Sequence, residues 1–159
     1  MQVSSRHHLR SDEVRTVRDA LADRLGIDLE AETMELVELA DEDFDVALVD
    51  GEPLVWYPAA RPFVTVRGAN AFEPTRSLVT VDTGAISFVS DGADVMRPGI
   101  TEADEDISEG DLVVIVEEAH GKALAIGEAL TDGTDMVGEQ GKVVRSIHHV
   151  GDELYEFDI

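Results

Sequence analysis

The chain has 159 residues, 43% of them hydrophobic, which suffices to bury the core of one ordinary domain or of two small ones sharing an interface, so extensive disorder is not expected. Its 35 acidic residues against 12 basic ones give a formal net charge of −23, which at face value repels a phosphate backbone. The absence of cysteine excludes disulfides and thiolate metal sites, and no apolar run approaches the roughly 20 residues that a membrane-spanning helix needs.

The first eight residues lack the apolar block of a signal peptide, so a cytoplasmic location is expected. Residues 11–26 then place Val14, Val17, Leu21 and Leu25 at helical spacing, with Ser11 as the expected N-cap and Gly26 as the stop. Arg18 and Arg24 flank this stripe and are read as laying their stems over the core edge. Residues 33–39, 44–49 and 52–57 read as strands, the last two joined by a tight turn at Asp50-Gly51. The acidic run Asp41-Glu42-Asp43 with Asp45 lacks the glycine and terminal glutamate of a calcium loop and reads as a solvated turn. From 58 to 74 the pattern is irregular, interrupted by Pro58, Pro62, Gly68 and Pro74.

A domain junction is expected at 74–76, dividing the chain into residues 1–75, an α+β unit, and 76–159. The second unit reads as a strand at 77–81, a short helix at 84–90, a turn at Asp91-Gly92 and an extended Val95-Met96. Strands follow at 111–117, 123–129 and 143–149, and a last one at 154–158 after a hairpin turn at Gly151-Asp152. Many short strands with glycine corners and one or two short helices predict a small barrel, and the whole an α+β fold.

Charge is unevenly spread. Residues 25–60 contain no Arg or Lys and eleven acids, and residues 98–159 are net −13, whereas residues 1–24 are net +1 and residues 61–97 are neutral. The bases are ten Arg and only two Lys. This bias is that of a halophilic protein from a salt-rich cytoplasm, where a Debye length of about 3 Å near 1 M salt screens the net charge. The two spared windows are candidate anion-facing surfaces, with Arg67, Arg76 and Arg97 in the second.

The stretch Asp82-Thr83-Gly84-Ala85 opens the short helix. Its free backbone N–H groups can receive a phosphate, and Gly84 and Ala85 let a sugar-phosphate chain come close; the alternative is a helix simply capped by Asp82 or Thr83. Together with Val81, Ile86, Phe88-Val89, Gly92-Ala93, Met96-Arg97-Pro98-Gly99, the strand 112–116 and Ala125-Ile126-Gly127, this segment resembles a PUA domain, an RNA-binding pseudo-barrel. Over nearly the whole chain the sequence resembles the family of the malignant-T-cell-amplified protein and its archaeal relatives, through Asp50-Gly51-Glu52-Pro53-Leu54, Pro62-Phe63, Thr65-Val66-Arg67, Ile147-His148 and Gly151-Asp152-Glu153-Leu154.

That resemblance implies an archaeal translation factor of initiation or recycling type, binding tRNA or small-subunit rRNA through its PUA domain. It implies RNA contacts at Thr83, Gly84 and Ala85 with Arg97, Lys142 and Arg145 at the rim, and as partners RNA, the small ribosomal subunit and a translation-factor protein. Two alternatives stay open: a protein-interaction module using the acidic surface of residues 25–60, and a specificity subunit delivering RNA to a tRNA- or rRNA-modifying enzyme. The pairs His7-His8 and His148-His149 would point to opposite faces of a strand and lack further ligands at zinc spacing. Residues 104–115 fail as a calcium loop at Glu109 and Ile115, and Gly138-Glu139-Gln140-Gly141 reads as a turn. With no paired nucleophile and base, no P-loop and no dinucleotide fingerprint, neither an enzyme, a cofactor nor a metal is expected.

Overall fold

The computed structural model describes residues 1–159, an α+β protein whose second half is a nearly closed β pseudo-barrel. Its first element was not foreseen. β1 (Val3–His8) is an edge strand exposed at almost every position, so its sequence carries no apolar alternation to read. It pairs antiparallel with β2 (Met34–Leu39), and α1 (Ser11–Leu25) connects them. The helix buries Val17, Leu21 and Leu25, the three- and four-residue spacing expected. Its cap is Arg10 rather than Ser11, because the Glu13 carboxylate accepts the Arg10 N–H at 3.0 Å. Gly26 ends it in the left-handed region at φ 67°, where a side chain would collide with Thr75.

β3 (Val46–Val49) and β4 (Glu52–Trp56) form the hairpin expected around Asp50-Gly51, whose φ values of 50° and 87° suit a two-residue turn. β5 (Phe63–Val64) completes a five-stranded antiparallel sheet in chain order. The segment expected to be irregular contains α2 (Val66–Phe72). Thr65 caps it by accepting the Gly68 N–H at 3.0 Å while donating to the Pro53 carbonyl at 2.9 Å. Gly68 is therefore no breaker: it is the position where the helix lies against the Leu54 carbonyl so closely that a Cβ would clash.

The second sheet comprises β6 (Leu78–Val81), β7 (Val95–Met96), β8 (Ile100–Ala103), β9 (Leu112–Glu117), β10 (Ala123–Ala129) and β11 (Lys142–His149), in the order β7-β11-β10-β9-β6-β8. All pairs are antiparallel except β6 with β9. A 3₁₀ turn at Thr83–Ala85 leads into α3 (Ile86–Ser90). Two expectations fail here. β8 was not foreseen, because two of its four residues are exposed beside a long acidic loop. Residues 154–158 form turns instead of a strand: the Asp152 carboxylate accepts the N–H groups of His149 and Tyr155 at 2.9 and 2.8 Å, which curls the chain so that Leu154 and Phe157 are buried together.

β9 decides how the two sheets join. All six of its residues are buried. Val113 and Ile115 belong to the barrel core with Val79, Val81, Val89, Val95 and Val144, whereas Leu112, Val114 and Val116 belong to a larger core with Val17, Leu21, Val46, Trp56 and Phe63. Alternating side chains of one strand thus feed two cores. His148, 1% exposed, adds a polar link: its Nε2 accepts the Val66 N–H at 3.0 Å, its Nδ1 lies 2.8 Å from Asp152, and its ring meets Trp56 edge-on at 5.4 Å. Because Nε2 accepts an amide proton, Nδ1 must carry the hydrogen, so the ring satisfies the first free N–H of α2 across the seam.

Candidate nucleic-acid interface

The segment between β6 and β8 wraps around an open cleft of about 450 Å³. Gly84 and Ala85 form one end, Phe88 stands over it from α3, and Met96 and Pro98 close the other side. The strand-to-turn geometry is held locally. Asp82 caps the 3₁₀ turn, its Oδ1 accepting the Ala85 N–H at 2.9 Å, and its own N–H reaches the Gly99 carbonyl at 2.9 Å. Gly99 lies so near Ala85 that an added Cβ would sit 3.2 Å from the Ala85 methyl. On the far side of α3, Gly92 at φ 95° makes room for the His149 ring, whose Nδ1 lies 3.1 Å from the Ser90 carbonyl and 2.9 Å from that of Val150. With only carbonyls around it, that nitrogen donates, and it ties the end of α3 to β11.

What fills the cleft wall is apolar. Phe88 is 68% exposed and Met96 48%, although both are large hydrophobic side chains. Helical geometry explains Phe88: Val89 is the position α3 buries, so its neighbour Phe88 points outward. Sequence reading named both residues in a family pattern without assigning them to the site; an aromatic placed off the buried face of a five-residue helix was the available signal. Charge at the cleft comes from Asp82 and Asp94. Asp94 accepts the Ser146 N–H at 2.8 Å and pairs with Lys142 at 3.3 Å, which holds its carboxyl below the usual range and fastens β7 to β11.

The expected cations are distributed differently from one another. Lys142 stands opposite Met96 in the β7–β11 register, at the edge of the cleft. Arg97 turns its guanidinium to backbone, Nε donating to the Asp135 carbonyl at 2.8 Å and Nη1 to that of Gln140 at 3.0 Å, so it pins the loop before β11. Arg145 pairs with Glu128 at 3.4 Å on the β10–β11 surface. Arg67 and Arg76 do not line the cleft: Arg67, on α2, reaches the Phe157 carbonyl at 3.2 Å and Glu52 at 3.8 Å, and Arg76 reaches the Asp23 carbonyl at the end of α1. Gly84 and Ala85 line the cleft, and Thr83 stands beside them in the same 3₁₀ turn without lining it; Thr83 and Gly84 are exposed. A rim of carboxylates around an aromatic ring, a thioether and small residues disfavours a bare phosphate and accepts a flat ring by stacking. No group of three or more His, Cys, Asp or Glu side chains is arranged to hold a metal ion.

Residues 78–151, which contain the cleft and all six strands of its sheet, match the PUA domain family. The chain is 42% identical over 123 residues to an uncharacterized protein of Methanocaldococcus jannaschii, covering 76% of each. It is 34% identical over 134 residues to translation machinery-associated protein 20 of Saccharomyces cerevisiae, covering 79% of this chain and 73% of that one. A hypothetical protein of Pyrococcus horikoshii superposes with a TM-score of 0.86 at 32% identity over 96% of this chain and 98% of that one. A conserved PUA domain protein of Thermoplasma acidophilum does so with a TM-score of 0.82 at 30% identity, over the same shares. The chain therefore belongs to the family of translation machinery-associated protein 20 and the malignant T-cell-amplified sequence 1 proteins, with its PUA domain at residues 78–151.

Proposed function

We propose that this protein is a non-enzymatic RNA-binding factor of the translation apparatus, which takes tRNA or small-subunit rRNA in the cleft of its PUA domain. The observation that carries the reading is the exposed apolar cleft between Gly84-Ala85 and Met96, with Phe88 standing in solvent, inside the segment that matches a PUA domain. A relative named for association with the translation machinery supports the cellular setting. In this reading Thr83, Gly84 and Ala85 offer close approach to the RNA backbone, Phe88 and Met96 stack on a base, and Lys142 is the nearest cation at the rim. Arg97 serves by holding the neighbouring loop, and Arg145, Arg67 and Arg76 lie outside the cleft.

The division into residues 1–75 and 76–159 is part of the proposal; the change from the first sheet to the second between Phe72 and Leu78 supports it. The first unit would then dock on the small subunit or a protein partner while the second holds RNA. The test is binding of a tRNA transcript, and co-sedimentation with small ribosomal subunits in high salt, by wild type, Phe88→Ala and Gly84→Asp. Phe88→Ala is benign for the fold, since Phe88 is exposed; a Cβ at Gly84 comes within 3.3 Å of the capping Asp82 Oδ1, so thermal melting of Gly84→Asp accompanies its binding measurement. Weaker binding by both is expected. Undiminished binding by both would move the RNA site elsewhere.

A further inference from the structure

Twelve bases among 35 acids should find carboxylates easily, and many of them do. Arg6 pairs with Glu35, Arg10 with Asp12 and Glu13, Arg67 with Glu52, Lys142 with Asp94 and Arg145 with Glu128. Arg76 and Arg97 are held by carbonyls. Arg24, Arg61 and Lys122 have no side-chain partner, but they stand apart from one another; Arg15 and Arg18 differ in standing together. Both are exposed, neither forms an ion pair or a side-chain hydrogen bond, and both border one groove of about 420 Å³ between α1 and the start of β2. Its floor is apolar, made by Leu9, Val14, Ala31 and Met34. Asp19 and Glu32 also line it, so an anion is confined to the ridge carrying the two arginines. Of the two sequence windows spared from acidification, 61–97 has thus spent three of its four arginines, Arg67, Arg76 and Arg97, on internal contacts and keeps only Arg61 unpaired, while 1–24 keeps two free guanidiniums in register on one helix face.

We propose that the Arg15–Arg18 ridge and its groove form a second RNA contact, one that grips the phosphate backbone. The inference rests on the RNA-binding reading above and extends it to the N-terminal unit. Positions i and i+3 on a helix stand about 5–6 Å apart at Cβ, so two guanidinium forks can act together on one phosphodiester strand. Such a strand alternates anionic phosphates with flat, weakly polar rings, matching free cations on a ridge above an apolar floor. RNA is favoured over an acidic peptide because it is already the ligand of the cleft, and one nucleic acid engaging both units needs no additional partner. The two contacts differ in physics: the Phe88 contact works by stacking, which depends little on salt, whereas the ridge works by counterion release.

The experiment is a salt titration of tRNA affinity, by fluorescence anisotropy, for wild type, Arg15→Glu/Arg18→Glu, Arg15→Lys/Arg18→Lys and Phe88→Ala. The charge-reversed protein should lose about tenfold or more in affinity at low salt, and its slope of log K against log salt should shallow by about 1.4–2, the value for two phosphate contacts. The lysine variant should keep most of that slope, and Phe88→Ala should lower affinity at all salt concentrations without changing it. If Phe88→Ala weakens binding while charge reversal changes neither affinity nor slope, the ridge proposal is wrong and the cleft reading stands. If wild type binds neither tRNA nor small ribosomal subunits, both fall. A polyglutamate peptide that binds wild type and is lost on charge reversal, with tRNA binding untouched, would overturn the proposal in favour of an acidic protein partner.

Discussion

Phe88 and Arg97 sit a few residues apart on the same segment, yet opposite fates follow from their surroundings. Phe88 makes little of the core, so Phe88→Ala should leave the melting temperature nearly unchanged while costing about 1–3 kcal/mol of RNA binding, the usual worth of one stacked base. Calorimetric melting alongside RNA titration checks both halves. Arg97 has the reverse profile. Its donors satisfy two carbonyls from residues 38 and 43 positions away, so Arg97→Ala should destabilise the fold by about 1.5–3 kcal/mol per charged hydrogen bond lost, within a total read by urea unfolding. Arg97→Lys rescues only in part, because an ammonium lacks the planar fork that reaches both. From sequence, Gly84 and Ala85 were legible as candidates because the role proposed for them depends on local backbone, and both line the cleft. The use of Arg97 was not, since it is set by a loop that folds back onto it from far along the chain.

At the scale of elements, α1 and the Asp50-Gly51 hairpin were readable from period and turn chemistry, whereas β1, α2 and the terminal turns were hidden for identifiable reasons. β1 has no buried face, α2 looks broken by a glycine that in fact answers a carbonyl in β4, and residues 154–158 carry apolar residues whose spacing suits a strand or a turn equally. Gly68→Ala should therefore cost several kcal/mol, against the roughly 1 kcal/mol gain that an unobstructed helix interior would give, because the new methyl must displace the Leu54 backbone. Chemical denaturation of that variant decides the sign. The terminal turn titrates. Burial pushes the Asp152 carboxyl up, but the hydrogen bond from His148 and the N–H groups of His149 and Tyr155 outweigh it and leave it lowered. A carboxylate whose pKa is lower folded than unfolded stabilises fully above the unfolded value of about 3.9, and that contribution disappears as pH falls through the folded value. Stability measured from pH 6 downward should thus decline below about pH 4, and less steeply in Asp152→Asn, which is already weakened at neutral pH.

For the whole molecule, the arrangement of β9 carries a stronger consequence than two linked domains would. Val113 and Val114 are adjacent in sequence and both fully buried, yet one faces the barrel core and the other the core built with α1 and the first sheet. Unfolding either core strips one side of β9, and the His148 bond to Val66 breaks in the same event. The two units should then unfold in one transition although their sheets are separate. Trp56 makes this measurable: it is the single tryptophan, 4% exposed in β4 against Phe44 and His148, and it reports the larger core that α1 and the first sheet share with β9, not the barrel core. Backbone circular dichroism reports both. Removing a buried valine side chain costs about 1.5–3 kcal/mol, a melting shift of roughly 3–12 °C for a protein of this size. Val113→Ala, although its side chain lies in the barrel core, should shift the Trp56 fluorescence transition by the same amount as the dichroism transition, and Val114→Ala should do likewise. Separation of the two curves in Val113→Ala, with Trp56 melting at the wild-type temperature, would mean that the barrel opens by itself and that the ridge on α1 and the cleft by Phe88 sit on independently stable bodies. Coincident curves mean that an RNA held at either place stabilises both units together, because binding to the folded state raises the stability of everything that unfolds with it.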